Sequence, residues 1–383
     1  MDCCISHTNP SSKILPLTSS FSSFLSFSTS TVVFPVNQRR IVVVASSKNN
    51  SQCDFSSLNT PLELKSPAGK LLSRVLQNDR KNFHHAVAGQ LDHLVSERDE
   101  ALARLSLSVG SSHASLYRRI AELKEQESQT AIEDVMYMLI SYKFSEIRVH
   151  LVPRLSQCIY NGRLEIYPSK DWELESIHSL EVLEMIKEHL GAVIGWRADS
   201  SVTKNWATTN ISKLRLCRIY AASILYGYFL KSASMRHRLE LSLTDVNHDL
   251  RANTGTRLSL SDFWSYGLNL AFGRVQNKHV TAVGEASCSQ VKRHEKLSSY
   301  VMGFDPEVLQ MCAKPKSREA MNLIEKHSYA LFGDEKSGLI EVDEIISTSL
   351  ASQKRFVLEA VAFGSFLWDS EEYVDSAYKL KQN

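Results

Sequence analysis

Two segments of this chain repeat one pattern, and the repeat limits the possible folds more than any other feature of the sequence. Ser179–Gly195 reads SLEVLEMIKEHLGAVIG, and Ser317–Gly333 reads SREAMNLIEKHSYALFG. Aligned without gaps at an offset of 138 residues, the copies share their first Ser, a first-turn Glu, a His and the final Gly. Ser caps free amides at a helix start, and Gly accepts a left-handed backbone at its end. Each copy is therefore predicted to form one capped helix.

An apolar segment follows each copy. The first, Ile211–Lys231, contains YGYFL, and the second, Phe356–Trp368, contains FGSFL, with the glycines Gly227 and Gly364 at an offset of 137 residues. A glycine inside a helix costs roughly 1 kcal/mol relative to alanine, so both are predicted to mark places where helices approach closely. Two matches at nearly one offset predict an internal duplication. The apolar run of the first segment is shorter than the ~20 residues that span a bilayer, which predicts a core helix and no transmembrane span.

These patterns predict an all-α, mostly helical protein in which two pseudo-symmetric helical units pack into one core. A small β-hairpin is predicted near residues 159–166, because Asn161-Gly162 suits a type I′ turn between alternating apolar residues. The predicted organisation, in chain order, is a first helical unit at 66–240 with an insertion at 97–172, a largely disordered linker at 241–295 with one helix around Ser261–Phe272, and a second helical unit at 296–378.

The first 45 residues have the composition of an organelle targeting peptide. They are rich in Ser and Thr, contain one acidic residue and carry three basic ones. Apolar residues are scattered among serines, whereas a secretory signal has an unbroken apolar core, and a mitochondrial signal normally carries more Arg. Residues 1–45 are therefore predicted to be a chloroplast transit peptide, and residues 46–65 a flexible leader to a protein of the chloroplast, with the stroma as the expected compartment.

Charge and cysteine spacing weigh against several classes of function. The chain has 44 Lys and Arg against 42 Asp and Glu, and loss of residues 1–45 leaves equal numbers. A general nucleic-acid binder needs surplus positive charge, so no nucleic-acid partner is expected. No C-x-x-C pair occurs, and the E-x-x-H spacing of Glu175 and His178 lacks the second copy that a di-iron bundle needs. No metal and no cofactor are predicted.

The recurring histidines, His189 and His327, are the candidate catalytic residues. Symmetry could bring them together as an acid–base pair or as metal ligands. The alternative is that each ring packs at a helix end and bonds one neighbour, and this interpretation is preferred because no convergent partners are visible. The predicted structural residues are Gly227 and Gly364 at helix contacts, and Gly195 and Gly333 at helix ends.

Four blocks carry a family resemblance: SKLRLCRIYAASILYGYFLK, SYVMGFDPEVLQ, SREAMNLIEKHSYALFG and RFVLEAVAFGSFLWDSEEYVDSAY. They resemble the plant chloroplast UV-B-induced protein family, which carries a domain of unknown function that also occurs in cyanobacteria. The resemblance extends from about Ser66 to Tyr378, with the domain as two diverged copies. It implies a plastid address and a link to UV-B or stress response, and it transfers no catalytic residue.

Three hypotheses about function follow. The first is a soluble binding or regulatory factor that has a protein partner. This non-enzymatic role is preferred over an enzymatic one. The second is an enzyme with a site between the two units that uses His189 and His327. The third is a peripheral factor that contacts the thylakoid through an apolar or basic face.

Overall fold

The computed structural model describes residues 60–197, 208–252, 296–333 and 344–381. Helices account for most of them, so the all-α prediction is confirmed. The predicted transit peptide, most of the predicted leader and the helix predicted around Ser261–Phe272 lie outside the described residues. The helices are α1 (Pro67–Asn78), α2 (Phe83–Leu107), α3 (Ala114–Glu146), α4 (Leu155–Cys158), α5 (Asp171–Glu175), α6 (Leu180–Ile194), α7 (Lys213–Ala252), α8 (Leu297–Met302), α9 (Pro306–Ala313), α10 (Arg318–Phe332) and α11 (Leu350–Tyr378).

The two repeated segments form α6 and α10, and both begin at the Ser that the sequence marks as a cap. The side chain of Ser179 accepts a hydrogen bond from the Val182 amide, and that of Ser317 accepts one from the Ala320 amide. These bonds satisfy amides that have no partner within the helix. The two helices therefore start at equivalent points of the repeat.

The two apolar segments lie in α7 and α11, which form the largest helix–helix contact of the described chain. α11 runs through the core, and its side chains from Phe356 to Leu367 are buried on every face. A helix that is apolar all round belongs in the interior of a protein. α3, α6 and α10 pack around this central pair.

A four-stranded sheet in the order β1-β2-β4-β3 covers one end of the central pair. β1 (Ile159–Tyr160) and β2 (Arg163–Leu164) form the predicted hairpin, and Asn161 and Gly162 have φ angles of 51° and 73°, so the hairpin prediction is confirmed. β3 (Thr208–Ser212) and β4 (Ile345–Ser349) precede α7 and α11 and pair antiparallel. The sequence did not predict them, because β3 has one apolar residue and therefore no alternation.

Among the described residues, no helix combines the length and apolar character that crossing a membrane requires. Both predicted units fall within one compact unit. α7 continues to Ala252, past the point at which the linker was predicted to begin, and residues 253–295 lie outside the described residues.

Candidate functional site

His189 lies on α6 and is held by two neighbours from α7. Its Nε2 is 3.0 Å from the Ser223 hydroxyl, and its ring stacks on Tyr226 with the centroids 4.3 Å apart and the planes at 15°. Burial lowers the pKa of His189 to about 4, because a charged imidazolium would lose its hydration there. The ring is therefore neutral at chloroplast pH and its Nε2 is occupied.

His327 lies on α10 in the same arrangement, and it is fully buried. Its Nε2 is 3.0 Å from the Tyr220 hydroxyl, and its ring stacks on Phe363 at 4.3 Å and 15°. Burial lowers its pKa to about 3. In each repeat, the aromatic residue that stacks on the histidine directly precedes the predicted contact glycine.

The two histidines do not share a site in the described chain. They bond different side chains of α7, and neither lines the cavity of about 460 Å³ or the cavity of about 340 Å³. No cluster of three or more His, Cys, Asp or Glu side chains among the described residues has the arrangement of a metal site. These contacts match those of packed core histidines, since each ring is stacked and bonded, with His327 fully buried and His189 half-buried.

A buried ion pair that was not predicted from the sequence is connected to His327 through the Tyr220 hydroxyl, which lies 3.0 Å from His327 Nε2 and 3.5 Å from a Glu359 oxygen. Glu359 is fully buried, and one of its carboxylate oxygens lies 2.8 Å from the Arg355 guanidinium. The same carboxylate accepts hydrogen bonds from the Val152 amide at 3.0 and 3.1 Å, and Arg355 also donates to the His150 carbonyl at 3.0 Å. Burial raises the pKa of Glu359, and the Arg355 charge opposes that shift. One signal was available in the sequence, since Glu359 is the only charge in Phe356–Trp368.

The two contact glycines lie where α7 and α11 cross. A Cβ atom on Gly227 would be 2.0 Å from the Val361 carbonyl oxygen, and one on Gly364 would be 1.9 Å from the Ile224 carbonyl oxygen. The contacts are reciprocal, because each glycine meets the residue three positions before the other one. No side chain fits at either position without moving a backbone.

The two terminal glycines differ from each other. Gly195 ends α6 with φ at 69°, the left-handed conformation that the sequence predicts. Gly333 ends α10 with φ at −62° and an extended backbone, so the left-handed exit predicted there is not formed. A Cβ atom on Gly333 would instead lie 2.6 Å from the Tyr329 carbonyl oxygen. Glycine suits this position because the backbone comes too close to that carbonyl for a side chain.

The far ends of α2 and α3 form an exposed helical hairpin, and we call residues 101–123 the hairpin tip. Within it Ser108 is the one buried residue. Below the tip, Arg98 donates to the Tyr378 carbonyl at 2.6 Å, so the end of α11 supports the base of the hairpin. Leu107 and Val109, in and beside the turn, are 86% and 81% exposed. The exposed large apolar side chains of the tip are Leu102, Leu107, Val109, Leu116, Ile120 and Leu123.

The hairpin tip is also basic. Arg104, Arg118 and Arg119 lie in residues 101–121, which contain no acidic residue. Two of these arginines form exposed ion pairs, Arg104 with Glu100 just outside the tip and Arg119 with Glu122, the one acidic residue of the tip. Such pairs contribute roughly 0–1 kcal/mol in water, so both guanidinium groups can change partner at small cost.

Comparison with known proteins places this architecture in a family. A family described as a protein of unknown function, DUF760, matches residues 115–243, from α3 through most of α7. A protein of Arabidopsis thaliana described as a chloroplastic UV-B-induced protein is 38% identical over 357 residues, which covers 90% of this chain and 84% of the relative. The chain belongs to this family of UV-B-induced chloroplast proteins. No solved structure matches the chain.

Membership of the UV-B-induced family confirms the resemblance carried by the four sequence blocks. It also supports the predicted chloroplast localisation, since the relative is described as chloroplastic and is similar over most of its length. The family description names no reaction and no ligand. The chemistry of this member of the UV-B-induced family must therefore be argued from its own residues.

The depressed pKa of His327 predicts a specific dependence of stability on pH. The ordinary histidine pKa is 6.5 and the folded value is about 3, so the unfolded chain takes up this proton first. The contribution of His327 is complete above pH 6.5 and is lost as the pH falls towards 3, by about 1.4 kcal/mol per pH unit. The free energy of unfolding, measured with urea between pH 6.5 and 4.5, should therefore fall less steeply with falling pH for His327→Gln than for the parent protein, by about 1.4 kcal/mol per pH unit. Parallel slopes for the variant and the parent protein would contradict the assignment.

Proposed function

We propose that this chain is a non-catalytic binding protein of the chloroplast stroma that attaches peripherally to an anionic membrane surface through its hairpin tip. The observation that carries the proposal is the row of exposed apolar side chains at the tip, surrounded by arginines. A link to UV-B response, taken from the description of the relative, makes a stress-related regulatory role the natural context. The predicted transit peptide at residues 1–45 supplies the route to the plastid.

The shape of the tip favours insertion at its end over packing in a groove of a protein. The most exposed apolar residues, Leu107 and Val109, lie at the turn, and Leu102 and Leu116 lie on the two helices behind it. An apolar surface that enters the headgroup region by ~5–10 Å gains hydrophobic energy while the polar part stays in water. The turn can enter end-on to that depth, whereas a helix-binding groove would contact one face of one helix.

The charge of the tip favours an anionic lipid surface. Each Arg near such a surface contributes about 1 kcal/mol, and the attraction falls off within a Debye length. Arg104, Arg118 and Arg119 lie among the apolar residues, while Glu100 and Glu122 lie further from the turn along each helix. Insertion therefore brings the basic residues to the phosphates first. A protein partner, also expected from the sequence, is an alternative outcome of the test below.

No observation favours the enzyme hypothesis over this one. His189 and His327 are each bonded and stacked, and neither borders the cavities of about 460 and 340 Å³. General acid–base catalysis requires a group within reach of the proton it transfers.

We also propose that the core arose by duplication, with a first unit at 66–240 and a second at 296–378. The support is geometric. Asn210 pairs with Ser347 at the centre of the β3–β4 register, and these residues are 137 positions apart, as Gly227 and Gly364 are. A local twofold axis through that pair would exchange β3 and β4, because the pair of Thr208 with Ser349 becomes the pair of Ile345 with Ser212. The reciprocal glycine contacts and the matched histidine stacks obey the same relation.

Vesicle sedimentation tests the docking proposal. The protein without residues 1–45 should sediment with vesicles of phosphatidylcholine and phosphatidylglycerol, and 0.5 M NaCl should release it. The double variant Leu107→Asp/Val109→Asp should bind at least tenfold more weakly, because it loses apolar area and gains two repelled charges. Its melting temperature should stay within about 1 °C of the parent value, because substitutions at exposed positions change stability little.

Met302→Asp is the matched control, since Met302 is 88% exposed and lies outside the hairpin. It should bind vesicles as the parent protein does. Equal binding by the double variant and this control would contradict the membrane proposal. Absence of vesicle binding combined with tip-dependent capture of a plastid protein would replace the membrane with a protein partner.

A further inference from the structure

A half-open cavity of about 460 Å³ lies at the N-terminal end of α6. Three serines from three helices border it: Ser179 at the cap of α6, Ser234 of α7 and Ser365 of α11. Leu230 and Phe366 contribute apolar wall. A cavity of this size with an apolar wall and a few converging polar groups is typical of sites for small ligands.

The corresponding place at the N-terminal end of α10 is filled by side chains. Glu371 of α11 accepts hydrogen bonds from the Ser317 amide at 2.7 Å and from the Ser317 hydroxyl at 2.5 Å. Its other oxygen accepts the Tyr228 hydroxyl at 2.6 Å. The side chains of Ser317, Glu371 and Tyr228 are each 1% exposed. The Glu371 carboxylate thus accepts the free donors at the N-terminal end of α10, and the Tyr228 phenol bonds the other side of that carboxylate.

The two places are equivalent under the offsets of the repeat. Ser179 corresponds to Ser317 at an offset of 138, and Ser234 corresponds to Glu371 at 137. Ser365 corresponds to Tyr228 at 137. The cavity therefore lies where the other half holds a carboxylate and an aromatic ring, and both of those side chains are replaced by serine. The Ser179 amide, the counterpart of the donor to Glu371, has no acceptor among the described residues, and Ser179 is exposed where Ser317 is buried.

A second observation is independent of the helix end. His237 borders the cavity and is 7% exposed, and its Nε2 has no hydrogen-bond partner in the described part of the chain. Buried ring nitrogens are normally paired, whereas this ring is held by stacking on Tyr300, with the centroids 4.6 Å apart, and its Nε2 is left without a polar partner among the described residues.

The charges around the cavity are compatible with an anion. Lys231 and Arg238 border it, with Asp369, which pairs with Lys231 at 3.0 Å, and with Glu181 in the first turn of α6. Glu181 does not exclude a carboxylate, because Glu319 occupies the same first-turn position of α10, the helix whose cap residue Ser317 bonds the Glu371 carboxylate. The amides at the start of α6 favour negative charge.

We propose that this cavity binds a small carboxylic acid with an apolar, ring-containing body. The carboxylate accepts from the amide and hydroxyl of Ser179, as Glu371 does from Ser317, and the body lies against Leu230 and Phe366. The ligand carboxylate takes the place of the Glu371 carboxylate, and the ligand ring fills space that the Tyr228 ring fills in the other half. The site does not depend on membrane docking, and the variant Leu107→Asp/Val109→Asp should retain it.

Isothermal titration of the protein without residues 1–45 tests this assignment. The probe is 4-hydroxyphenylacetate, which carries a carboxylate and a phenol, and 4-hydroxyphenylacetamide is its uncharged counterpart. The acid should bind, and the amide should bind at least tenfold more weakly, because charge-assisted hydrogen bonds to the helix end are lost. Ser234→Glu should weaken binding of the acid at least tenfold, because it installs the counterpart of Glu371 inside the cavity. Its melting temperature should rise by about 2–4 °C as that carboxylate caps α6.

Ser242→Glu is the control, since Ser242 lies on the same helix, is exposed and does not border the cavity. It should bind the probe as the parent does. Equal binding of acid and amide would overturn the proposal, as would binding that Ser234→Glu leaves unchanged. A parent protein that binds neither probe, with Ser234→Glu stabilising the fold, would also overturn it, since the space would then need no separate ligand.

Discussion

Gly227→Ala should lower the free energy of unfolding by at least 3 kcal/mol, a larger effect than alanine normally has in a helix. Overpacking typically costs about 1–3 kcal/mol when neighbouring side chains can move. Here the added carbon would lie 2.0 Å from the Val361 carbonyl oxygen, so a backbone must shift. Gly364→Ala should behave in the same way, because its Cβ would meet the Ile224 carbonyl oxygen at 1.9 Å. Urea unfolding followed by circular dichroism measures both losses.

Gly89→Ala is the matched control. Gly89 lies within α2, and a Cβ atom there would have nothing within 4 Å. Alanine should therefore stabilise the protein by about 0.4–1 kcal/mol through its higher helix propensity. If Gly227→Ala matched Gly89→Ala in sign and size, α7 and α11 would not cross at the glycines.

Arg355→Met should destabilise the fold by about 3–5 kcal/mol, because it leaves the Glu359 carboxylate buried without its cation. Glu359 is fully buried and Arg355 is 3% exposed, so water cannot replace the lost charge. The double variant Arg355→Met/Glu359→Gln should recover part of the loss, since a neutral amide can still accept from the Val152 amide. Thermal and urea unfolding of the single and double variants measure the coupling.

Lys316→Met is the control for an ion pair at the surface. Lys316 pairs with Glu372, and the two side chains are 52% and 42% exposed. Its removal should change the stability by less than about 1 kcal/mol. A loss for Arg355→Met no larger than this control would show that the buried pair does not hold α11 in place.

The helices and the hairpin turn could be predicted because each depends on a local pattern, whereas the left-handed exit predicted at Gly333 is not formed. Ser179 and Ser317 mark helix starts, Asn161-Gly162 marks a turn, and a glycine in an apolar helix points to close packing. β3 and β4 could not be predicted, because their pairing depends on residues 137 positions apart and not on alternation within either strand.

The features of the candidate site also differ in whether a local sequence pattern indicates them or only the packing of the helices does. The sequence identified His189 and His327 by their repetition, but whether they face each other depends on which side chains of α7 and α11 they meet. It did not identify the exposed tip, because Leu107 and Val109 look like core residues until the helices around them are placed. The cavity was also missed. It arises from serines replacing Glu371 and Tyr228 at equivalent positions, and that comparison requires the contacts of both halves.

The most direct test of the docking proposal is the distribution of the protein between stroma and thylakoids in isolated chloroplasts. The parent protein should be found with the membranes at low salt and should move to the stroma after a 0.5 M NaCl wash, while Leu107→Asp/Val109→Asp should be stromal under both conditions. A parent protein that stays in the stroma at low salt, or a double variant that remains on the membranes as the parent does, would contradict attachment through the hairpin tip.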